Sequence, residues 1–197
     1  MCYLKDIKKR GLSVGVKIYL VRHGEAGGAW DSTADPGLSV KGISQADTVA
    51  RQLNEAIAPV RIFSSPLQRA QETAKPIGEL WHQSVDIAPQ LTEVPSAGIE
   101  FKDRRQWLTG VLQGQWSDQS NVLKNWRSNI VEFAKSQTED AIFVTHFVVI
   151  NSLVGFTESN DNVLVFRPDT CSVTTIGLNV DRLHLIEKGQ EALTVIK

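Results

Sequence analysis

Arginine and histidine recur in this chain directly after apolar runs. Val16–Val21 (VKIYLV) leads into Arg22-His23-Gly24-Glu25, Val60–Phe63 (VRIF) into Ser64-Ser65-Pro66 with Arg69 close behind, and Ala141–Thr145 (AIFVT) into His146. Two guanidiniums and two imidazoles around one point make an anion site, and the planar fork of arginine suits phosphate. Histidine can also attack phosphorus and split one hard displacement into two easier ones. The attacking nitrogen must then be unprotonated, so the other ring nitrogen is expected to donate to a backbone carbonyl. Gly24, directly after His23, permits close backbone approach. The arginines would stabilise the equatorial oxygens during transfer. A leaving alkoxide needs a proton, which asks for a nearby carboxylic acid. No metal-ligand spacing is evident, so the expected chemistry uses neither metal nor cofactor.

The elements that must position these groups follow from the pattern. Near-continuous apolar runs of this length suit strands buried on both faces of a parallel sheet. A fourth such run is Val163–Phe166, and Ser172–Leu178 with Leu183–Glu187 reads as a hairpin across Asn179–Arg182 at a sheet edge. Helical spacing appears between the runs. Ser39 starts a helix with Ile43, Ala46, Val49, Ala50 and Leu53 on its stripe. Ser65-Pro66 reads as a cap and first helical residue, followed by Leu67, Ala70, Ala74, Ile77 and Trp81. Val122, Trp126, Ile130 and Phe133 mark a third helix, and an apolar fourth begins at His146 and runs through Val154. Strands alternating with helices predict an α/β fold, a three-layer αβα sandwich around a mostly parallel sheet. Ligands bind outside the carboxyl ends of such strands, which is where Arg22, His23, Arg69 and His146 fall. Glu93–Ser120 is the least regular stretch and reads as a small inserted cap, partly helical from about Phe101 to Leu112.

Bulk properties narrow the classes. The chain has 197 residues, 42% hydrophobic and 22% charged, with a formal net charge of -1. That suits one catalytic domain over 16–197 preceded by an N-terminal extension over 1–15. The near-zero charge argues against nucleic acid and an anionic membrane surface as partners. Cys2 and Cys171 are far apart and form no disulfide framework. The start lacks a secretory h-region and no run reaches transmembrane length, so a cytoplasmic enzyme is expected.

The segments LVRHGEA, LSVKGISQA, IFSSPLQRAQETA, LTE and VTH occur in an order that resembles the histidine phosphatase superfamily, the phosphoglycerate mutase-like group, over roughly Lys17 to Leu178. The resemblance implies that Arg22, Arg69 and His146 bind the phosphoryl group, that His23 attacks it, and that Glu93 is the acid. It also implies a sandwich with an inserted cap, and it points to the phosphatase branch. Two positions depart from the family pattern. Phe147 stands where glycine commonly follows the second histidine, and Trp30-Asp31 lies where a polar pocket residue is frequent. The further motif of the mutases is missing from Glu93–Gly98.

The reading is a histidine-dependent acid phosphatase, a phosphomonoester hydrolase acting on a phosphorylated small molecule. Alternatives are a phosphohistidine-protein phosphatase with a phosphoprotein partner, a mutase-type phosphotransferase, and a non-catalytic anion-binding protein on the same fold. Gly24, Glu25 and Phe147 are additional site candidates. Glu25, Asp31, Asp35 and Glu100 rival Glu93 as acids. Lys102, Arg104 and Arg105 either hold a second anionic group or form a solvated helix face. Trp107, Trp116 and Trp126 either fill the cap core or stack on an aryl substrate. His82 and His184 carry no motif.

Overall fold

The structure is a computed structural model describing residues 15–28 and 35–192. All but the last residue of the expected N-terminal extension, together with Cys2, Trp30 and Asp31, lies outside the described residues.

Six strands form one sheet: β1 (Val16–Arg22), β2 (Arg61–Ser64), β3 (Val85–Ile87), β4 (Ala141–Thr145), β5 (Val173–Asn179) and β6 (Arg182–Glu187). Their order is β3-β2-β4-β1-β5-β6. β1 through β4 run parallel, while β5 is antiparallel to β1 and β6 to β5. The helices among the described residues are α1 (Val40–Ala56), α2 (Gln68–Trp81), α3 (Arg104–Gln113), α4 (Asn121–Lys135) and α5 (Phe147–Thr157). The fold is therefore the expected three-layer α/β sandwich.

Strand alternation divides the core into two layers. On β4, Ala141 and Phe143 face the layer of α4 and α5, with Ile130, Val131, Ile150 and Leu153. Ile142 and Val144 face α1 and α2, against Val49, Leu53, Ala74 and Ile77. Every β4 residue is buried, which explains the unbroken apolar run in the sequence. Each fully buried large aliphatic side chain contributes about 1.5–3 kcal/mol. A third cluster, Val94, Val111, Trp116, Leu123, Val148 and Val163, joins the inserted segment to the sandwich.

Some expectations change. Val163–Phe166 is not a strand. Val163 and Phe166 are buried, but the backbone N–H groups of Val165 and Phe166 donate to Asn151 Oδ1, at 2.8 and 3.0 Å, instead of to a neighbouring strand. α2 starts at Gln68, not at Pro66, and its N-terminal flanking residue is Leu67. The Ser65 hydroxyl accepts from Leu67 N–H at 3.2 Å and so closes a turn ahead of the helix. Ile43 is 53% exposed. The buried stripe of α1 is Gly42, Ala46, Val49, Ala50 and Leu53. Likewise Val122 is 66% exposed, and Leu123 is the buried residue at the start of α4.

The stretch expected to be partly helical from about Phe101 to Leu112 holds α3, with single 3-10 turns at Phe101–Asp103 and Trp116–Asp118 on either side. Among the described residues, no helix is long and apolar enough to cross a membrane.

Candidate active site

The parallel pairings β2–β4 and β4–β1 place three strand ends side by side, with neighbouring strands about 4.8 Å apart. Each chain segment leaves the sheet still held by it. His23 N–H donates to Thr145 O at 2.9 Å, and Ser65 N–H donates to Val144 O at 3.0 Å. The residues that follow these strands are thereby fixed above one edge of the sheet.

His23, Arg69 and His146 meet there. Arg69 Nε donates to His23 Nε2 at 3.2 Å, and Arg69 Nη2 lies 3.3 Å from His146 Nδ1. The two imidazole centroids are 5.0 Å apart. All three side chains are buried. A guanidinium can only donate, so the contacted ring nitrogens carry lone pairs. His23 Nδ1 then bears the proton and donates to Gly24 O at 2.7 Å. Burial, Arg69 and Arg22 hold the His23 imidazole well below its ordinary pKa, against the opposing pull of the Gly24 carbonyl. The ring is neutral and presents Nε2 to the cluster.

Arg22 completes the cluster from the end of β1. Its Nη1 donates to Pro168 O at 2.8 Å, and its guanidinium carbon sits 5.2 Å from the centre of the Phe147 ring. Two buried guanidinium nitrogens, Arg22 Nε and Arg69 Nη1, have no hydrogen-bond partner among the described residues. Buried donors of this kind are costly unless an acceptor meets them, and phosphoryl oxygens are acceptors of matching geometry.

Glu93 follows the short turn Pro89–Leu91 after β3. Two side chains hold that approach. Thr145 Oγ1 donates to Leu91 O at 2.8 Å, and Trp126 Nε1 donates to Thr92 O at 3.2 Å. Glu93 Oε1 accepts from Val94 N–H at 2.9 Å. Burial raises the Glu93 carboxyl above its ordinary pKa, and the N–H of Val94, then Arg69, Arg22 and the N–H of Val148, pull the other way. A carboxyl with a raised pKa beside two arginines has the properties of a general acid.

The other candidates fall elsewhere. Glu25 turns toward the start of α1, where its carboxylate accepts from Ser39 Oγ at 2.9 Å and pairs with Lys41 Nζ at 2.9 Å. The Lys41 and Ser39 hydrogen bonds hold that carboxyl below its usual range. Asp35 reaches the edge of the cluster, with Oδ1 3.7 Å from Arg69 Nη1, while both its oxygens accept from Gln68 N–H at the start of α2. Glu100 pairs with Lys102 at 3.0 Å in the cap, and Arg104 stacks on the Phe101 ring at 4.0 Å. Phe147 is half-buried and packs on the cap cluster with Trp107 and Leu108. His82 ends α2 in a left-handed conformation, φ 51°, and His184 lies in β6. Burial pushes the Cys171 thiol up to about 12, which makes it a poor nucleophile.

Two residues that shape the site, Thr73 and Gly42, are not among the candidates that the sequence offers. Gly24 N–H donates to Thr73 Oγ1 at 3.0 Å, and Thr73 Oγ1 donates to Arg69 O at 2.7 Å. Thr73 stands four residues after Arg69, on the same helix face, a spacing that could have been read. Gly42 faces Gly24 across a backbone contact: a Cβ on Gly24 would lie 2.7 Å from Gly42 O, and one on Gly42 would lie 2.1 Å from Glu25 O. No group of three or more His, Cys, Asp or Glu that could hold a metal ion occurs among the described residues.

Comparison with known proteins fits this geometry. The family model described as the histidine phosphatase superfamily (branch 1) matches residues 18–190. A metal-independent phosphoserine phosphatase of Arabidopsis thaliana is 34% identical over 102 residues, 50% of this chain and 38% of that protein. The chain thus aligns with well under two thirds of that relative's length. A 2,3-bisphosphoglycerate-dependent phosphoglycerate mutase of Thermoplasma acidophilum is 26% identical over 148 residues, 70% of this chain and 74% of that protein. Among solved structures, a putative alpha-ribazole-5'-P phosphatase from Escherichia coli superposes with a TM-score of 0.72 at 21% identity, covering 92% of this chain and 100% of the other. At that identity the likeness concerns the fold.

Proposed function

We propose, from the premise that this chain belongs to the histidine phosphatase superfamily (branch 1), that it is a metal-independent phosphomonoesterase working through a phosphohistidine on His23. His23 Nε2 attacks phosphorus as the bond to the ester oxygen breaks. Arg22, Arg69 and His146 hold the three equatorial oxygens. Glu93 protonates the departing oxygen. Its carboxylate then takes a proton from the water that attacks the phosphohistidine, which releases phosphate and restores the acid.

One observation carries this reading. A neutral imidazole, its Nδ1–H fixed on the Gly24 carbonyl, presents a lone pair beside two guanidiniums, each with a buried nitrogen, Arg22 Nε and Arg69 Nη1, that has no hydrogen-bond partner among the described residues. A nucleophile and an oxyanion cradle then share one cluster of side chains. Purified protein is expected to hydrolyse p-nitrophenyl phosphate in excess chelator and to accumulate an acid-labile, base-stable phosphoenzyme in rapid quench. His23→Ala is expected to lose both. Turnover that survives this substitution overturns the mechanism.

A second reading, phosphotransfer between two positions of a substrate, is favoured by the similarity to the Thermoplasma mutase over 70% of this chain. The fate of the phosphoryl group separates the two. Transfer to water gives inorganic phosphate, whereas a mutase returns labelled phosphoryl to an acceptor alcohol faster than it releases it.

A further inference from the structure

His146 has a second ring nitrogen, and it does not face the cluster. Nε2 lies 2.7 Å from Ser65 Oγ, and both residues are fully buried. Since Arg69 Nη2 can only donate to Nδ1, the proton of the neutral ring sits on Nε2 and is donated to Ser65. Ser65 Oγ therefore accepts twice, from His146 Nε2–H and from Leu67 N–H at 3.2 Å. Ser65 itself is held by its own N–H on Val144 O. The hydroxyl is a fixed acceptor, and His146 is left with a single basic atom, Nδ1, directed at the arginine and the neighbouring imidazole.

This arrangement bears on how His146 can hold a phosphoryl group. A lone pair on Nδ1 repels a phosphoryl oxygen, whereas an N–H there would bind it. We propose that Ser65 is a positioning residue that directs a proton to His146 Nδ1, so that the phosphoryl group is bound as a dianion against an imidazolium. This rests on the phosphatase reading above. The step balances within the complex. A monoanionic phosphate gives up the proton of its remaining P–O–H, whose pKa is about 6. That proton moves to Nδ1, and Nε2–H stays on Ser65 Oγ throughout. Arg69 Nη2 is released from Nδ1 to meet a phosphoryl oxygen.

The surroundings make Ser65 necessary. Around His146 stand His23 and Arg22 at the end of β1 and Arg69 on α2, and Glu93 lies near both arginines. Burial first, then His23, Arg69 and Arg22, hold the empty-site imidazole well below its ordinary pKa. Only the bound dianion on one side and a neutral acceptor on the other stabilise the charged ring. Without the hydroxyl, Nε2–H would be a buried donor without a partner, and worse so when the ring is charged.

The experiment uses two matched pairs, wild type against Ser65→Ala and Ser65→Thr against Ser65→Val. The second pair isolates the hydroxyl from the added methyl. Inorganic phosphate affinity is measured by calorimetry across pH, and the His146 ring is followed by side-chain 15N NMR. Expected in the wild type is Nε2–H without phosphate and a doubly protonated ring with it. Removing the hydroxyl is expected to weaken phosphate binding at neutral pH by about ten- to hundred-fold, the worth of a hydrogen bond to a charged group. The alkaline limit of binding should move down by about one to two pH units. Ser65→Thr should bind more tightly than Ser65→Val by a similar factor. Equal affinities and pH limits within both pairs overturn the inference, as does a ring protonated on Nδ1 in the empty site. No phosphate binding by the wild type overturns the phosphatase reading itself, and the empty-site tautomer distinguishes the two failures.

Discussion

The buried cluster above the strand ends and the cap beside it are built by opposite means. His23, Arg69 and His146 are each under a tenth exposed, and each is bonded to at least one other buried group. In the cap, Phe101 is 42% exposed, Lys102 pairs with its neighbour Glu100, and Arg104 lies on the Phe101 ring. Apart from the His23–Gly24 bond, these interactions above the sheet join residues 46 to 81 apart in sequence, whereas these cap contacts join residues two or three apart. A network of the first kind fixes a reaction type, because any change to one member disturbs the others. A surface of the second kind can change residue by residue without disturbing its surroundings.

That contrast can be broken or sharpened by substitution. Glu93→Gln should lower kcat on alkyl phosphates by about 10²- to 10⁴-fold, the range for loss of a general acid, with a much smaller loss on p-nitrophenyl phosphate, whose leaving group needs no proton. Steady-state assays on matched alkyl and aryl esters check this. The same variant has a stability signature. The raised Glu93 pKa means that the folded state binds the proton more tightly than the unfolded chain does. Its contribution is fully present below the ordinary carboxylate pKa and is lost as pH rises through the folded value. Glu93→Gln should therefore melt higher than wild type at neutral pH, with the gap closing toward pH 4, as calorimetry would record.

Arg69→Ala should cost about 10²- to 10³-fold in kcat/KM, typical of a lost oxyanion donor. Gly42→Ala should destabilise the fold by about 1–3 kcal/mol in denaturant melts, because its Cβ would strike Glu25 O. Lys102→Ala should change kcat/KM for simple monoesters by less than about fivefold, since an exposed pair with Glu100 is worth at most about 1 kcal/mol. A large effect there would mean that the cap holds an anionic group of the substrate and would erase the contrast.

Legibility in the sequence followed the same division. The strand ends carrying Arg22, His23 and His146 are readable because β4 is buried throughout and β1 is buried at Ile18, Leu20 and Val21, and burial writes long apolar runs. The same signal misled at Val163–Phe166, since an apolar run reports burial and not backbone partners, here the side chain of Asn151. β3 could not be read: its three residues lie at the sheet edge, partly or fully exposed. Helical spacing puts Ile43 on the stripe of α1 because Gly42 has no side chain to count, although it is the backbone of Gly42 that packs beneath the loop after β1. Ser65 matched a helix cap by type and position, and nothing local could reveal a partner 81 residues away.

The bond from Gly24 N–H to Thr73 Oγ1 makes this amide a reporter on more than its own loop. It cannot exchange with solvent deuterium until Thr73 lets go, and Thr73 is anchored to Arg69 O one turn back in α2. Opening of that turn would release the residue after His23 and the backbone of Arg69 in one event. The lifetime of a single deuterium label at Gly24 thus measures how often the loop after His23 parts from the first turns of α2, without substrate and without turnover.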